Sequence, residues 1–206
     1  MMNCSVHLFV FDGMADWEAS FAMAAIQNPQ SLSNSGCFRV TTAARFHAPI
    51  RTAGGMRILP DMTIDEVCPF ESSLLILPGG ESWEHGSNLE ALERAHAFVD
   101  ESVPVAAIGS ATLALARTGL LDNRLHTSQS PAYLAASGYR GARHYCDVPA
   151  ITNRNITTAS GRAPLEFACE ISKLLNLQST SNLNTWQSLY RRSAEFSEVL
   201  ATHGLH

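Results

Sequence analysis

Short apolar runs alternate along the chain with longer stretches in which apolar residues recur at helical spacing. The short runs predict strands at residues 6–11, 38–43, 73–77, 103–108, 148–151 and 156–159. The longer stretches predict helices at residues 89–101 and 111–117 and from near Pro164. Residues 49–60, with a Gly-Gly turn, predict a hairpin or small sheet. Another helix, starting at about Asp16, is expected to place Trp17, Phe21, Ala24 and Ala25 on one face.

The alternation of strand and helix predicts a parallel sheet with helices on both faces. Residues 73–77 and 103–108 are apolar almost throughout, which is typical of strands buried on both sides. With right-handed crossovers the chain becomes a doubly wound α/β sandwich, in which ligands bind at the carboxyl ends of the strands. Residues 1–177 are expected to form this domain. Residues 178–206 are expected to form a linker and a C-terminal helix, which packs on the domain or in a dimer contact.

Composition narrows the class of protein. The chain has 206 residues, of which 46% are hydrophobic and 16% charged, so a single domain with a large core is expected. A net charge of −5 without a basic run argues against a nucleic-acid partner. We expect neither a signal peptide nor a membrane span, since no stretch approaches the ~20 apolar residues that a span requires. Five cysteines without a CxxC pair suggest free thiols in the cytoplasm.

The most informative chemistry lies at the turn between the predicted strand ending at residue 108 and the helix starting at residue 111. A strand that turns directly into a helix strains the corner residue and exposes its side chain at the sheet edge, as in a nucleophile elbow. The corner residue is Gly109, which adopts positive φ freely but has no side chain to react. Ser110 follows, and it is either a helix N-cap or a nucleophile that needs a base within hydrogen-bond reach.

Four segments carry a family resemblance: FVFDGMADWE, LILPGGESW, AAIGSATLALARTGLLDNRLHTS and TTASGRAPLEFA. Together, over residues 6–175, the chain resembles the ThiJ/PfpI family of the class I glutamine amidotransferase-like superfamily. The resemblance implies a flavodoxin-like three-layer α/β/α sandwich with a mostly parallel sheet. It also implies a homodimer that binds a small molecule and carries no cofactor.

The resemblance assigns roles to several residues. Glu18 matches the glutamate that hydrogen-bonds the family's nucleophile, and His126 matches the histidine close to it. Gly79 and Gly80 match the oxyanion-hole loop, whose amides face developing negative charge. Gly109 matches the nucleophilic cysteine itself, so this chain departs from the family pattern at the reacting atom.

Three residues follow the Gly-Gly loop, and they either wall the pocket or belong to an ordinary exposed loop: Trp83, Glu84 and His85. A metal site on Glu84 and His85 is not expected, because adjacent residues rarely both reach one ion and no third ligand is apparent.

The sequence leaves several functions open. The first is a pocket protein that binds a small carbonyl or amide compound without thiol chemistry. The alternative is an active, cysteine-independent hydrolase or hydratase of the intracellular amidase/protease type, using Glu18, His126 or Ser110. An amidotransferase-like subunit is a third hypothesis, but hydrolysis of glutamine in that manner needs the missing thiol.

Overall fold

The computed structural model describes residues 5–27, 38–177 and 187–188. Within them the strands are β1 (Ser5–Phe9), β2 (Arg39–Ala44), β3 (Ile50–Arg51), β4 (Arg57–Ile58), β5 (Met62–Thr63), β6 (Ser72–Leu77), β7 (Val105–Ile108), β8 (Ala150–Asn153) and β9 (Ile156–Ala159). The helices are α1 (Asp16–Gln27), α2 (Leu89–Asp100), α3 (Ala111–Arg117), α4 (Pro131–Ala135) and α5 (Pro164–Leu174).

The main sheet has the strand order β5-β2-β1-β6-β7-β9-β8. All of its pairings are parallel except that between β8 and β9, and β3 and β4 form a separate antiparallel hairpin. Helices cover the sheet, with α1 packed against α5 and α3 packed against α4. The predicted flavodoxin-like three-layer α/β/α sandwich with a mostly parallel sheet is therefore confirmed.

Three central strands position the functional residues. Strands β1, β6 and β7 are neighbours in the sheet, and all of β7 and almost all of β6 is buried. Because they run in parallel, their carboxyl ends lie at one edge of the sheet. The loop leading to α1, the turn after β6 and the corner between β7 and α3 meet at that edge.

Helix α1 buries the predicted face only in part, since Ala25 is buried and Phe21 packs against the core. Its buried apolar residues are Ala19, Ala22, Ala25 and Ile26, whereas Trp17 is 56% exposed and Ala24 is exposed. Because their side chains are small, these residues let α1 pack closely against α5. The large ring of Trp17 therefore stays on the exposed side of the helix. Glu18 lies on the inward side of the first turn and is buried.

The C-terminal segment was predicted to contain a linker and a helix, and residues 178–206 lie outside the described part of the chain except for residues 187–188. The alternatives of packing on the domain and of a dimer contact therefore stay predictions. Among the described helices, none has the length and apolar character needed to cross a membrane.

Candidate functional site

The corner between β7 and α3 consists of two residues, Gly109 and Ser110. Gly109 has φ +62°, a conformation that costs about 1–2 kcal/mol in other L-residues and is free in glycine. Its N–H group donates to the Ala159 carbonyl at 3.1 Å, and its own carbonyl accepts from Thr112 Oγ1 at 2.6 Å. The backbone of the corner is thus fixed by the neighbouring strand and by the first turn of α3.

The Glu18 carboxylate lies directly beside this corner. Its Oε2 accepts a hydrogen bond of 2.6 Å from the backbone N–H of Gly79, and only 5% of the residue is exposed. Burial raises the pKa of the Glu18 carboxyl above its ordinary value of 4.5, although the hydrogen bond from Gly79 acts in the opposite direction. Desolvation is therefore the larger effect at this site, and the proton is held more tightly than in water.

Three glycines make room for the Glu18 carboxylate. A Cβ atom added to Gly109 would lie 2.7 Å from Glu18 Oε2 and 2.8 Å from its carboxyl carbon, which is closer than real contacts allow. A Cβ on Gly79 or on Gly161 would likewise overlap a Glu18 oxygen. The carboxylate therefore fills space that side chains at these positions would otherwise occupy.

Ser110 binds the loop after β6 and does not cap its own helix. Its Oγ donates to the Gly80 carbonyl at 2.8 Å and accepts from the Gly80 N–H at 2.8 Å, and it makes no capping hydrogen bond to α3. This corrects the N-cap interpretation. It also gives no support to the nucleophile, because the hydroxyl proton is engaged by a backbone oxygen and neither Glu18 nor His126 is its partner.

The two predicted oxyanion donors are engaged within the chain. The N–H of Gly79 is bonded to Glu18 and the N–H of Gly80 is bonded to Ser110. The predicted role requires N–H groups aimed at a substrate oxygen. In this arrangement they instead hold the Glu18 carboxylate and the corner in place.

Gln129 is the residue at this site that the sequence interpretation missed. Its Oε1 accepts from Ser160 Oγ at 3.0 Å and from the Gly161 N–H at 3.2 Å. Its Nε2 lies 3.0 Å from the position of a Cβ on Gly161, and Gly109 Cα lies 3.4 Å from the same position. We call the group formed by Glu18, Gly79, Gly109, Gln129 and Gly161 the corner site.

The ring of His126 makes its contacts with its own segment and with two tyrosines. The residue is fully buried, with Nδ1 2.7 Å from the Arg124 carbonyl and Nε2 3.2 Å from the Tyr139 hydroxyl. The rings of Tyr139 and Tyr145 pack edge-on against it. Burial lowers the pKa of His126, so a neutral ring is favoured. One ring nitrogen is thus engaged by a backbone carbonyl and the other by a tyrosine hydroxyl.

The segment from His126 to Gln129 explains how a buried histidine still matters to the site. Thr127 N–H donates to Thr158 Oγ1 at 2.9 Å, which fixes the segment to β9. Ser128 Oγ lies 2.6 Å from Thr112 Oγ1, the hydroxyl that also bonds the Gly109 carbonyl. His126 therefore anchors one end of a segment whose other end, Gln129, reaches the corner site. The sequence offered one signal for Gln129, which is that it immediately follows the HTS motif of the family resemblance.

Trp83, predicted either to wall the pocket or to lie in an exposed loop, packs in the core. The side chain is fully buried, and its ring packs 5.9 Å from that of Phe9 and 5.7 Å from that of Phe11 between centroids. Its Nε1 donates to the Pro78 carbonyl at 2.8 Å. Trp83 thus supports the turn after β6 from the core. Glu84 and His85 are exposed, in agreement with the ordinary-loop alternative.

The described cysteines do not join the corner site. Cys68, Cys146 and Cys169 are free thiols, and burial raises the pKa of Cys169 to about 11. The described residues contain no group of three or more histidine, cysteine, aspartate or glutamate side chains that could hold a metal ion. Cys4 and Cys37 lie outside the described residues.

The burial of Glu18 predicts how stability depends on pH. Its raised pKa means that the folded state holds the proton more tightly than the unfolded chain. Stability should therefore fall as pH rises through the window above 4.5, and the Glu18→Gln variant should escape this loss. Urea unfolding of both proteins across this window should show the variant gaining on the wild type as pH rises. A difference in stability between the two proteins that does not change with pH would contradict the raised pKa of Glu18. The control is Glu93→Gln, on the exposed side of α2.

The double hydrogen bond between Ser110 and Gly80 predicts a structural role for the hydroxyl. Ser110→Ala leaves a backbone donor and acceptor without this partner, so the free energy of unfolding should fall by about 1–3 kcal/mol. Chemical denaturation measures the change, with Ser87→Ala at an exposed position as the control. A loss no larger than that of the control would mean that the hydroxyl does not hold the loop.

Comparisons with known proteins identify relatives of this chain and structures that resemble it. It is 34% identical over 207 residues to the uncharacterized protease YoaZ of Bacillus subtilis (strain 168), covering 98% of this chain and 99% of that protein. The crystal structure of the thiJ/pfpI family protein from Bacillus anthracis superposes with a TM-score of 0.87 at 37% identity, covering 92% of this chain and 91% of that one. The crystal structure of the DJ-1 superfamily protein Atu0886 from Agrobacterium tumefaciens superposes with a TM-score of 0.78 at 30% identity. The match covers 97% of this chain and 99% of that one.

The family model agrees with these relatives and with the resemblance of the four sequence segments. The model of the DJ-1/PfpI family matches residues 4–174, which include every residue of the corner site. The chain therefore belongs to the DJ-1/PfpI family.

Proposed function

We propose that this protein binds a small carbonyl or amide compound at the corner site without thiol-based catalysis. The observation that carries the proposal is the corner itself. Residue 109 keeps the positive φ of a nucleophile elbow, yet it is a glycine, and the Glu18 carboxylate occupies the space of its missing side chain. A covalent thioester or thiohemiacetal cannot form at a residue that has no side chain.

The polar groups of the corner site support a binding function. Glu18 provides a carboxylate oxygen and Gln129 provides an amide nitrogen, and both lie close to the position that a Cβ on Gly161 would take. Carbonyl and amide compounds carry the matching acceptors and donors. Glycine at residues 109 and 161 keeps the surroundings of these two groups free of bulky side chains.

A second function, cysteine-independent hydrolysis or hydration, is favoured by one observation. Burial raises the pKa of Glu18, and a carboxyl group tuned in this direction suits general acid–base catalysis. Glu18 would take a proton from an attacking water and return it to the leaving group. The relatives named as uncharacterized proteases, YoaZ and YdeA of Bacillus subtilis (strain 168), are consistent with hydrolysis. The hydrogen bonds of Ser110 and His126 leave Glu18 as the group available for this chemistry.

A comparison of the wild type with Gly109→Cys separates the two functions. Both proteins are assayed against small amides, isocyanides and 2-oxoaldehydes, and intact-protein mass spectrometry detects covalent adducts. We expect the wild type to bind members of the panel without turnover or adduct. Turnover or adduct formation is expected only with the cysteine variant, whose Cβ must first displace the Glu18 carboxylate.

Turnover by the wild type would contradict the binding function. If that turnover also disappeared in Glu18→Gln, the general acid–base function would replace it. Gly109→Ala is the matched control for the cysteine variant, because it introduces the same Cβ without a thiol.

A further inference from the structure

Two hydrogen-bonding groups of the corner site remain without partners in the described part of the chain. Glu18 uses Oε2 for the Gly79 N–H, and no hydrogen bond of the described residues uses Oε1. Gln129 uses Oε1 for Ser160 and Gly161, and no hydrogen bond of these residues uses Nε2. The site thus presents one acceptor and one donor that a ligand can engage.

The orientation of the Gln129 amide follows from its neighbours. The backbone N–H of Gly161 can only donate, so the atom of Gln129 that faces it at 3.2 Å must be the oxygen. The other amide atom is therefore the nitrogen, and it lies 3.0 Å from the position that a Cβ on Gly161 would take. A flipped amide would set two donors against each other and is disfavoured.

The acceptor and the donor border the same small volume beside Gly161. Glu18 Oε1 and Gln129 Nε2 both lie within 3.0 Å of the position that a Cβ on Gly161 would take. They do not bond each other. A ligand that satisfies both groups together has an advantage over one that satisfies either alone, because a polar group left without a partner in the complex lowers affinity.

We propose that the corner site binds primary carboxamides, the carbonyl oxygen of which accepts from Gln129 Nε2 while the NH₂ group donates to Glu18 Oε1. This inference rests on the proposed function and names its ligand class. A carboxylate of the same shape has no NH₂ group to donate to Glu18 Oε1. A ketone of the same shape would leave the Glu18 oxygen without a donor.

Three nearly isosteric compounds test the inference: propionamide, propionate and butanone. Their binding is followed by ¹H–¹⁵N NMR titration of the full chain, using the Gln129 side-chain NH₂ signal and the backbone amides of Gly79 and Gly161. Propionamide should bind at least about tenfold more tightly than the other two, because it alone offers both a donor to Glu18 and an acceptor to Gln129.

Two variants make the test specific. In Glu18→Gln a second NH₂ group can replace the acceptor, so the order should reverse and propionate should bind more tightly than propionamide. In Gln129→Glu the donor is lost, so the affinity for propionamide should fall by at least about tenfold. Gln27→Glu, at the end of α1 and remote from the site, makes the same amide-to-acid change and should leave binding unchanged.

The outcomes distinguish the inference from the function on which it rests. Preference for propionamide in the wild type with reversal in Glu18→Gln supports the inference. Equal affinities for the three compounds, with shifts at Gln129 and Gly161, would overturn the inference and leave carbonyl binding intact. Absence of binding by all three compounds would overturn both.

Discussion

The corner site depends on one buried interaction, the hydrogen bond from the Gly79 N–H to the Glu18 carboxylate. Few acidic groups are buried without a strong partner, since removing a carboxylate from water is costly. Here the carboxylate keeps a single short backbone bond and lies against the backbone of three glycines, Gly79, Gly109 and Gly161. Any larger residue at those positions would compete with Glu18 for the same volume. The identity of the glycines and the position of the acid therefore constrain each other.

The remaining contacts transmit this constraint to three neighbouring segments. Ser110 ties the corner to Gly80, and Ala15 at the start of α1 donates to the Gly79 carbonyl at 2.8 Å. Thr112 joins the corner to Ser128, the residue immediately before Gln129. Most of the groups that catalysis would need already form hydrogen bonds within this framework. Within the described residues, one carboxylate oxygen and one amide nitrogen of this framework have no hydrogen-bond partner, and the proposed recognition of a ligand rests on these two atoms.

The sequence predicted the architecture and the corner because both depend on local pattern. The apolar run that became β6, the turn at Pro78 and the strand-to-helix junction at Gly109 are all readable from neighbouring residues. What the local pattern does not show is the direction in which each side chain points. Trp83 turned toward Phe9 in the core, and His126 turned toward two tyrosines that follow it by more than ten residues.

Ser110 and Gln129 show the same limit. The hydroxyl of Ser110 was expected to find its partner in its own helix, but its partner is Gly80, thirty positions earlier. Gln129 reaches the site only because Ser160 and Gly161 hold its oxygen. Periodicity and motifs carry no information about such long-range pairs. The hydrogen-bond partners of these two side chains therefore become visible only in the three-dimensional structure.

A double-mutant cycle between residues 18 and 109 tests most directly whether the acid occupies the space of the missing side chain. Gly109→Ala is introduced into the wild type and into Glu18→Ala, and the free energies of unfolding are compared. The added Cβ should cost about 1–3 kcal/mol more when Glu18 is present than when it is absent. The penalty for positive φ is common to both backgrounds and cancels. An equal cost in the two backgrounds would contradict the account, because it would place the Glu18 carboxylate away from the corner.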